Sequence, residues 1–142
     1  MAKDPMHPLR RIAFIYCLIL ALVTSLNYIP GVRQPDGTVF GVFALDLFDD
    51  ALHAASALWA GIAAWLSARA SRLYLTIFGS LYLADGLMGL ALGSGYLDGG
   101  ILVNGIVQMP LTIKILANLP HLSLGGFALF AGTVLARRWP PA

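Results

Sequence analysis

The chain has 142 residues, of which 58% are hydrophobic and only 11% are charged, and its mean hydropathy is +0.78. Soluble domains carry about a quarter charged residues, so this composition excludes an ordinary soluble domain and indicates a protein that crosses a membrane several times. The net charge is only +2, and the few basic residues are scattered at predicted helix ends. We therefore expect the lipid bilayer as a partner and no nucleic acid.

Four apolar stretches approach the length of a membrane-crossing helix, which needs about 20 residues. The first ends at Ile29-Pro30-Gly31, a strong helix stop. Pro110, Lys114 and several polar residues interrupt a further apolar segment, so we predict that residues 101–117 are interfacial or re-entrant. The predicted fold is all-α, a single domain over residues 1–142 with partly embedded outer loops and four transmembrane helices at about residues 12–28, 50–66, 73–92 and 119–136.

Lysine and arginine are unevenly distributed between the two predicted sides of the membrane. Two of them, Arg33 and Lys114, fall on one side and seven on the other. Because basic loops remain in the cytoplasm, both termini are predicted to be cytoplasmic. The seven are Lys3, Arg10, Arg11, Arg69, Arg72, Arg137 and Arg138.

A repeated pattern relates the second predicted helix to the fourth. In each, a small polar residue stands three positions before a histidine, and an arginine stands sixteen positions after it: Asp50, His53 and Arg69, then Asn118, His121 and Arg137. Sixteen helical residues span about 24 Å, most of the hydrocarbon core, so both histidines should lie near the outer face. Asn27 and Asp85 stand sixteen residues from arginines at the opposite face, which predicts the same depth for them and suggests two parallel helical hairpins.

Two interpretations of the histidines remain open. In the first, Asp50 and Asn118 are helix N-caps, and His53 and His121 only complete the first helical turn. In the second, the two imidazoles converge from facing helices and ligate a haem b iron or a metal ion.

Asp85 is the candidate site residue inside a predicted membrane helix. A carboxylate there costs about 2.5–3.5 kcal/mol, so we expect it to have a partner. The structural alternative is a hydrogen bond between helices, and the functional one is a proton or cation site. We predict that Asp85, His53 and His121 form one polar cluster, and place Asp50, Asn118 and Asn27 at its depth.

The residues Gly41-Val42-Phe43 and Asp50-Ala51-Leu52-His53, together with a second Leu-x-His element at Leu119-Pro120-His121, resemble those of a known bacterial family. It consists of small four-helix membrane proteins and is known only as a domain of unknown function. The resemblance covers about Phe40 to Ala136. This chain has aspartates at 49 and 50 where the family tends to have Asn. The resemblance implies a fold and a membrane location, and no activity.

We therefore predict a small polytopic inner-membrane protein with a non-enzymatic assembly or accessory role, associating with lipid, with other membrane proteins or with itself. The first alternative is a redox protein in which His53 and His121 bind haem or a metal. The second is a small proton-coupled carrier that uses Asp85.

Overall fold

The computed structural model describes residues 6–43 and 45–141, and the long elements in these ranges are all helices. Lys3, one of the seven basic residues assigned to the cytoplasmic side, lies outside the described residues. The predicted all-helical class is confirmed. We name the helices α1 (Pro8–Ser25), α2 (Leu47–Leu66), α3 (Ala68–Leu92), α4 (Gly100–Asn104) and α5 (Leu111–Phe130).

Two of the helices continue beyond their α-helical part. A 3₁₀ turn, Leu26–Tyr28, extends α1, while a π-helical turn, Ala131–Leu135, and a last turn, Ala136–Arg138, extend α5. With these extensions, three helical stretches are long and apolar enough to cross a membrane: Pro8–Tyr28, Ala68–Leu92 and Leu111–Arg138. The α2 helix is not among them, because Asp49, Asp50 and His53 near its start lower its mean hydropathy.

The prediction for the last helix is wrong at its start. The α5 helix begins at Leu111 rather than at residue 119, and Pro120 lies inside it. Of the segment 101–117, only the first part forms a separate short helix, and Leu111–Ala117 belongs to α5. A proline inside an apolar helix is tolerated when neighbouring groups satisfy the freed backbone atoms, so Pro120 need not end α5.

The predicted N-caps are also wrong. Asp46 caps α2, because its carboxylate accepts hydrogen bonds from the amides of Phe48 at 2.7 Å and Asp49 at 2.9 Å, and the Asp49 carboxylate bonds back to the Asp46 amide at 3.1 Å. This capping box satisfies three free backbone donors. Asp50 consequently lies inside the first turn of α2, and Asn118 lies in the middle of α5.

The helices pack as two antiparallel pairs, α1 with α2 and α3 with α5, and α3 also contacts the first pair. These are the pairs expected from the predicted hairpins. Ser67 alone connects α2 to α3. Glycines allow α3 and α5 to approach closely: a Cβ at Gly79 would collide with the backbone at Leu129, and one at Gly125 with the backbone at Leu83. The close contact sets the alignment of α3 and α5 along each other.

Candidate functional site

Asp85 holds three parts of the chain together near one end of the bundle. Its side chain is buried, and its Oδ1 accepts hydrogen bonds from the amides of Tyr96 at 2.7 Å and Leu97 at 2.9 Å, in the loop that follows α3. Its Oδ2 lies 2.7 Å from Nδ1 of His121 on α5. An ionised Asp85 carboxylate can only accept, so it would bind the His121 tautomer that carries a proton on Nδ1, and Nε2 takes no part in this contact.

His53, Tyr82 and His121 form a cluster of rings beside this carboxylate, which we call the ring cluster. The ring centroids of His53 and His121 are 6.5 Å apart, and Tyr82 lies 6.2 Å from the first and 4.8 Å from the second. His53 is 6% exposed and Tyr82 3% exposed. Neither Nδ1 of His53 nor the hydroxyl of Tyr82 has a hydrogen-bond partner in the part of the chain that the structure describes.

The other predicted site residues make their hydrogen bonds outside the ring cluster, in which we include only His53, Tyr82 and His121. Asn27 donates from Nδ2 to both carboxylate oxygens of Asp50, at 3.0 and 3.1 Å, and to the carbonyl of Leu45 at 2.9 Å. This contact fastens the end of α1 to the start of α2. Asn118 donates to the carbonyl of Lys114, one turn earlier on its own helix. The structure thus brings Asp85 to His121 and Asn27 to Asp50, and gives Asn118 a local bond.

An apolar cavity of about 230 Å³ lies next to the ring cluster. Leu20 and Val23 of α1 line one side, and Pro120 and Leu124 of α5 line the other. All three rings of the cluster form part of its wall, as do Phe40, Phe43 and Leu45 of the first long loop. We did not predict this cavity, because its existence depends on how far α1 and α5 stand apart.

A wider, open cleft of about 720 Å³ lies on the loop side of the same rings. The cleft and the cavity share His53, His121 and Phe43 as lining residues, so they meet at the ring cluster. The charged side chains that line the cleft are Arg33 and five aspartates: Asp36, Asp46, Asp49, Asp85 and Asp98.

Two titratable groups in the loops near the cleft, Asp36 and Tyr96, have shifted pKa values. Asp36 accepts hydrogen bonds from the amide and the hydroxyl of Thr38, at 2.9 and 2.7 Å, and these bonds lower the pKa of its carboxyl group. Burial and the nearby Asp85 carboxylate raise the pKa of the Tyr96 phenol. Asp36 is therefore ionised at neutral pH, which adds to the negative charge of the cleft.

The geometry limits what the two histidines could hold. In residues 6–43 and 45–141, no group of three or more histidine, cysteine, aspartate or glutamate side chains is placed to hold a metal ion. Pockets for drug-sized ligands occupy about 300–1,000 Å³, and the cavity of about 230 Å³ is smaller than that range. A haem or metal between His53 and His121 stays a prediction.

Comparison of the chain with protein-family models, with curated proteins and with solved structures found no match. The fold and the site therefore define the class directly: a helical protein with three apolar helices that could span a membrane. The family resemblance of the sequence stays a prediction.

Proposed function

We propose that the protein crosses a bacterial inner membrane four times, through α1, α2, α3 and α5, with both termini in the cytoplasm. The main observation in support is the apolar outer face of α2. Leu58, Ile62 and Trp65 are exposed along one face of that helix, whereas Ala57 and Ala60 are buried in the bundle. Such a stripe of large apolar side chains suits a helix that faces lipid.

Two of the three polar residues that lower the hydropathy of α2, Asp50 and His53, do not lie on this outer face. Asp50 is 5% exposed and His53 6% exposed, so both are enclosed by the bundle. The 20 residues of α2 extend over about 30 Å, the thickness of the hydrocarbon core. The helix thus has the length and the outward face of a crossing, although its average composition is more polar than that of its neighbours.

Hydrogen bonds from arginines support a common basic end for the four helices. Arg10, near the start of α1, donates to the carbonyls of Ala64 at 2.7 Å and Trp65 at 3.0 Å, at the end of α2. Arg72, near the start of α3, donates to the carbonyl of Gly132 at 3.2 Å, in the extension of α5. Basic residues mark the cytoplasmic side, so this end is assigned to the cytoplasm.

We propose a non-enzymatic accessory role in this membrane, by association with lipid, another membrane protein or a second copy. The buried acids support this role because they are engaged in holding the bundle together: Asp85 binds the loop after α3 and His121, and Asp50 binds Asn27. A second candidate is cofactor binding by the histidines. The Asp85–His121 bond favours it, because a carboxylate at Nδ1 orients an imidazole for ligation through Nε2.

Reporter insertions at Asp36 and at Ser67 test whether α2 crosses the membrane. If α2 spans the membrane, a reporter active only in the periplasm reports at Asp36, and one active only in the cytoplasm reports at Ser67. Both positions on one side would contradict the four-crossing topology.

The absorbance spectrum and the metal content of the purified protein test the accessory role. We expect no Soret band and no stoichiometric metal, whereas either one would favour the cofactor role.

A further inference from the structure

We propose that the cavity between α1 and α5 is a binding site for a neutral amphiphile of the bilayer with a planar, hydrogen-bonding ring, the chemistry of a prenyl quinone. The ring would lie against the ring cluster and the apolar tail between α1 and α5. The inference goes beyond the accessory role and rests on the proposed membrane location. It concerns binding alone and includes no redox step.

The position of the cavity makes it accessible from the bilayer. Helix α1 packs mainly on α2 and α5 mainly on α3, so α1 and α5 make few contacts with each other. Where they do meet, the hydroxyl of Tyr16 donates to the carbonyl of Leu124 at 2.6 Å. The cavity begins beside this contact, since Leu124 lines it, and Leu20 and Val23 line it farther along α1. A ligand that enters between these two helices comes from the side, out of the lipid phase.

Two unpartnered polar groups indicate that the ligand has a hydrogen-bonding head. His53 and Tyr82 both line the cavity and are more than nine-tenths buried. Nδ1 of the first and the hydroxyl of the second have no partner within the described residues, although buried polar groups in native proteins are almost always hydrogen-bonded. A carbonyl or hydroxyl oxygen on the head of a ligand would supply the missing partner.

The size and the walls of the cavity fit one substituted six-membered ring. A cavity of about 150 Å³ is enough to hold benzene, and this one measures about 230 Å³. The rings of His53, Tyr82 and His121 stand at different tilts around its inner end, and Phe43 lies at the loop side. Aromatic walls of this kind pack against a planar ring by offset stacking and edge-to-face contacts. A tail of prenyl type is too long for the cavity and must leave it between α1 and α5.

The charge of the adjoining cleft disfavours an anionic head. Asp46, Asp49 and Asp98 line the cleft where it continues from the ring cluster, and Arg33 is the one lysine or arginine that lines it within the described chain. Like charges brought together at a binding interface cost several kcal/mol, so a carboxylate or a phosphate is disfavoured here. Fatty acids and anionic phospholipids are therefore poorer ligands than a quinone of similar apolar size.

Titration of the purified full-length protein in detergent micelles with decylubiquinone tests the proposal, with oleate as the anionic comparison. We expect saturable binding of about one decylubiquinone per chain and at least tenfold weaker binding of oleate. Val23→Trp, which fills the cavity, should reduce decylubiquinone binding at least tenfold. Leu22→Trp, at the exposed neighbouring position on α1, should leave it unchanged.

Tyr82→Phe separates a ligand contact from a structural role. The hydroxyl has no partner in the free protein, so its removal should not lower the melting temperature, yet it should weaken decylubiquinone binding about fivefold, as expected for one net hydrogen bond. No saturable binding to the wild type, equal binding to Val23→Trp, or oleate binding as tight as decylubiquinone binding would each overturn the proposal. Fractionation of the cells that produce the protein tests the membrane location independently of the ligand. Protein found outside the membrane fraction would refute the membrane location, whatever the micelle titration shows.

Discussion

At the scale of single residues, Asp85 shows how one carboxylate can set the position of several chain segments. It receives two amides from the loop after α3 and the imidazole of His121 from α5. Hydrogen bonds to a charged acceptor are stronger than neutral ones, and a buried acceptor that loses its charge leaves its donors poorly satisfied. The position of the loop that borders the cleft thus depends on a residue inside a long apolar helix.

We predict that Asp85→Asn lowers the free energy of unfolding by about 2–4 kcal/mol, because an amide replaces the charged acceptor of three hydrogen bonds. Denaturation of the purified protein, followed by circular dichroism, measures the change. Asp98→Asn is the matched control: Asp98 is exposed and accepts one amide, that of Gly100, so its loss should cost less than about 1 kcal/mol. Equal losses in the two variants would contradict the role given to Asp85.

The sequence could place the candidate residues at one depth, but it could not assign their partners. Counting residues from the basic helix ends put His53, His121 and Asp85 near the same level, and the ring centroids of the two histidines are 6.5 Å apart. The N-caps could not be assigned in the same way. Asp46, Asp49 and Asp50 all stand close to the start of α2, and any of them has the chemistry of a cap. Only the position of the first helical turn decides among them.

At the scale of helices, the contact between α3 and α5 depends on glycine at specific positions. We predict that Gly125→Ala lowers the free energy of unfolding by about 1–3 kcal/mol, because the new methyl group meets the backbone of α3 at Leu83. The neighbouring Gly126 has no heavy atom within 4 Å of an added Cβ. Gly126→Ala should therefore be neutral or stabilise the helix slightly. A thermal melt of both variants in the same detergent decides the matter, and a less stable Gly126→Ala than Gly125→Ala would refute the packing explanation.

The hydrogen bonds of Arg10 give a second prediction for a helix pair. Its guanidinium group donates to two carbonyls at the end of α2, where the helix dipole is negative. We expect Arg10→Gln to reduce stability by about 1–2 kcal/mol. Arg11→Gln removes the same charge at the same end of the bundle, but this exposed side chain makes no hydrogen bond in the described structure. The difference between the two melting temperatures isolates the contact from the charge, and no difference would mean that the contact adds no stability.

Helix existence was easier to predict from this sequence than helix length. The first three long apolar stretches each correspond to one long helix, because a continuous apolar run has few alternatives once its backbone must be satisfied internally. The start of α5 was missed because Pro110, Lys114 and several polar residues were read as interruptions of the segment before it. In the fold, Pro110 only precedes the helix, Lys114 reaches the carbonyl of Ala91 on α3 at 3.3 Å, and Pro120 packs beside the cavity. Contacts with a neighbouring helix thus override local helix-breaking signals.

At the scale of the whole molecule, the proposed topology places the segment between α3 and α5 on the periplasmic side of the membrane. We predict that a cysteine at Asn104, an exposed position in α4, reacts with a membrane-impermeant maleimide on intact cells. A cysteine at Arg138 should react only after the cells are permeabilised. Cys17→Ser supplies the background without a native thiol. Labelling of both positions from the same side would show that α5 and its extension do not cross.

The single residue between α2 and α3 has a consequence for how the protein is made. Ser67 ends one helix and caps the next, its hydroxyl accepting the amide of Ala70 at 3.0 Å. Because only one residue separates them, α3 follows α2 out of the ribosome directly, with no intervening loop. Its leading helix carries two aspartates and a histidine, and would be costly to leave alone in lipid. In the proposed topology, α2 and α3 therefore enter the bilayer together, and the second helix brings Tyr82 beside His53 of the first during synthesis.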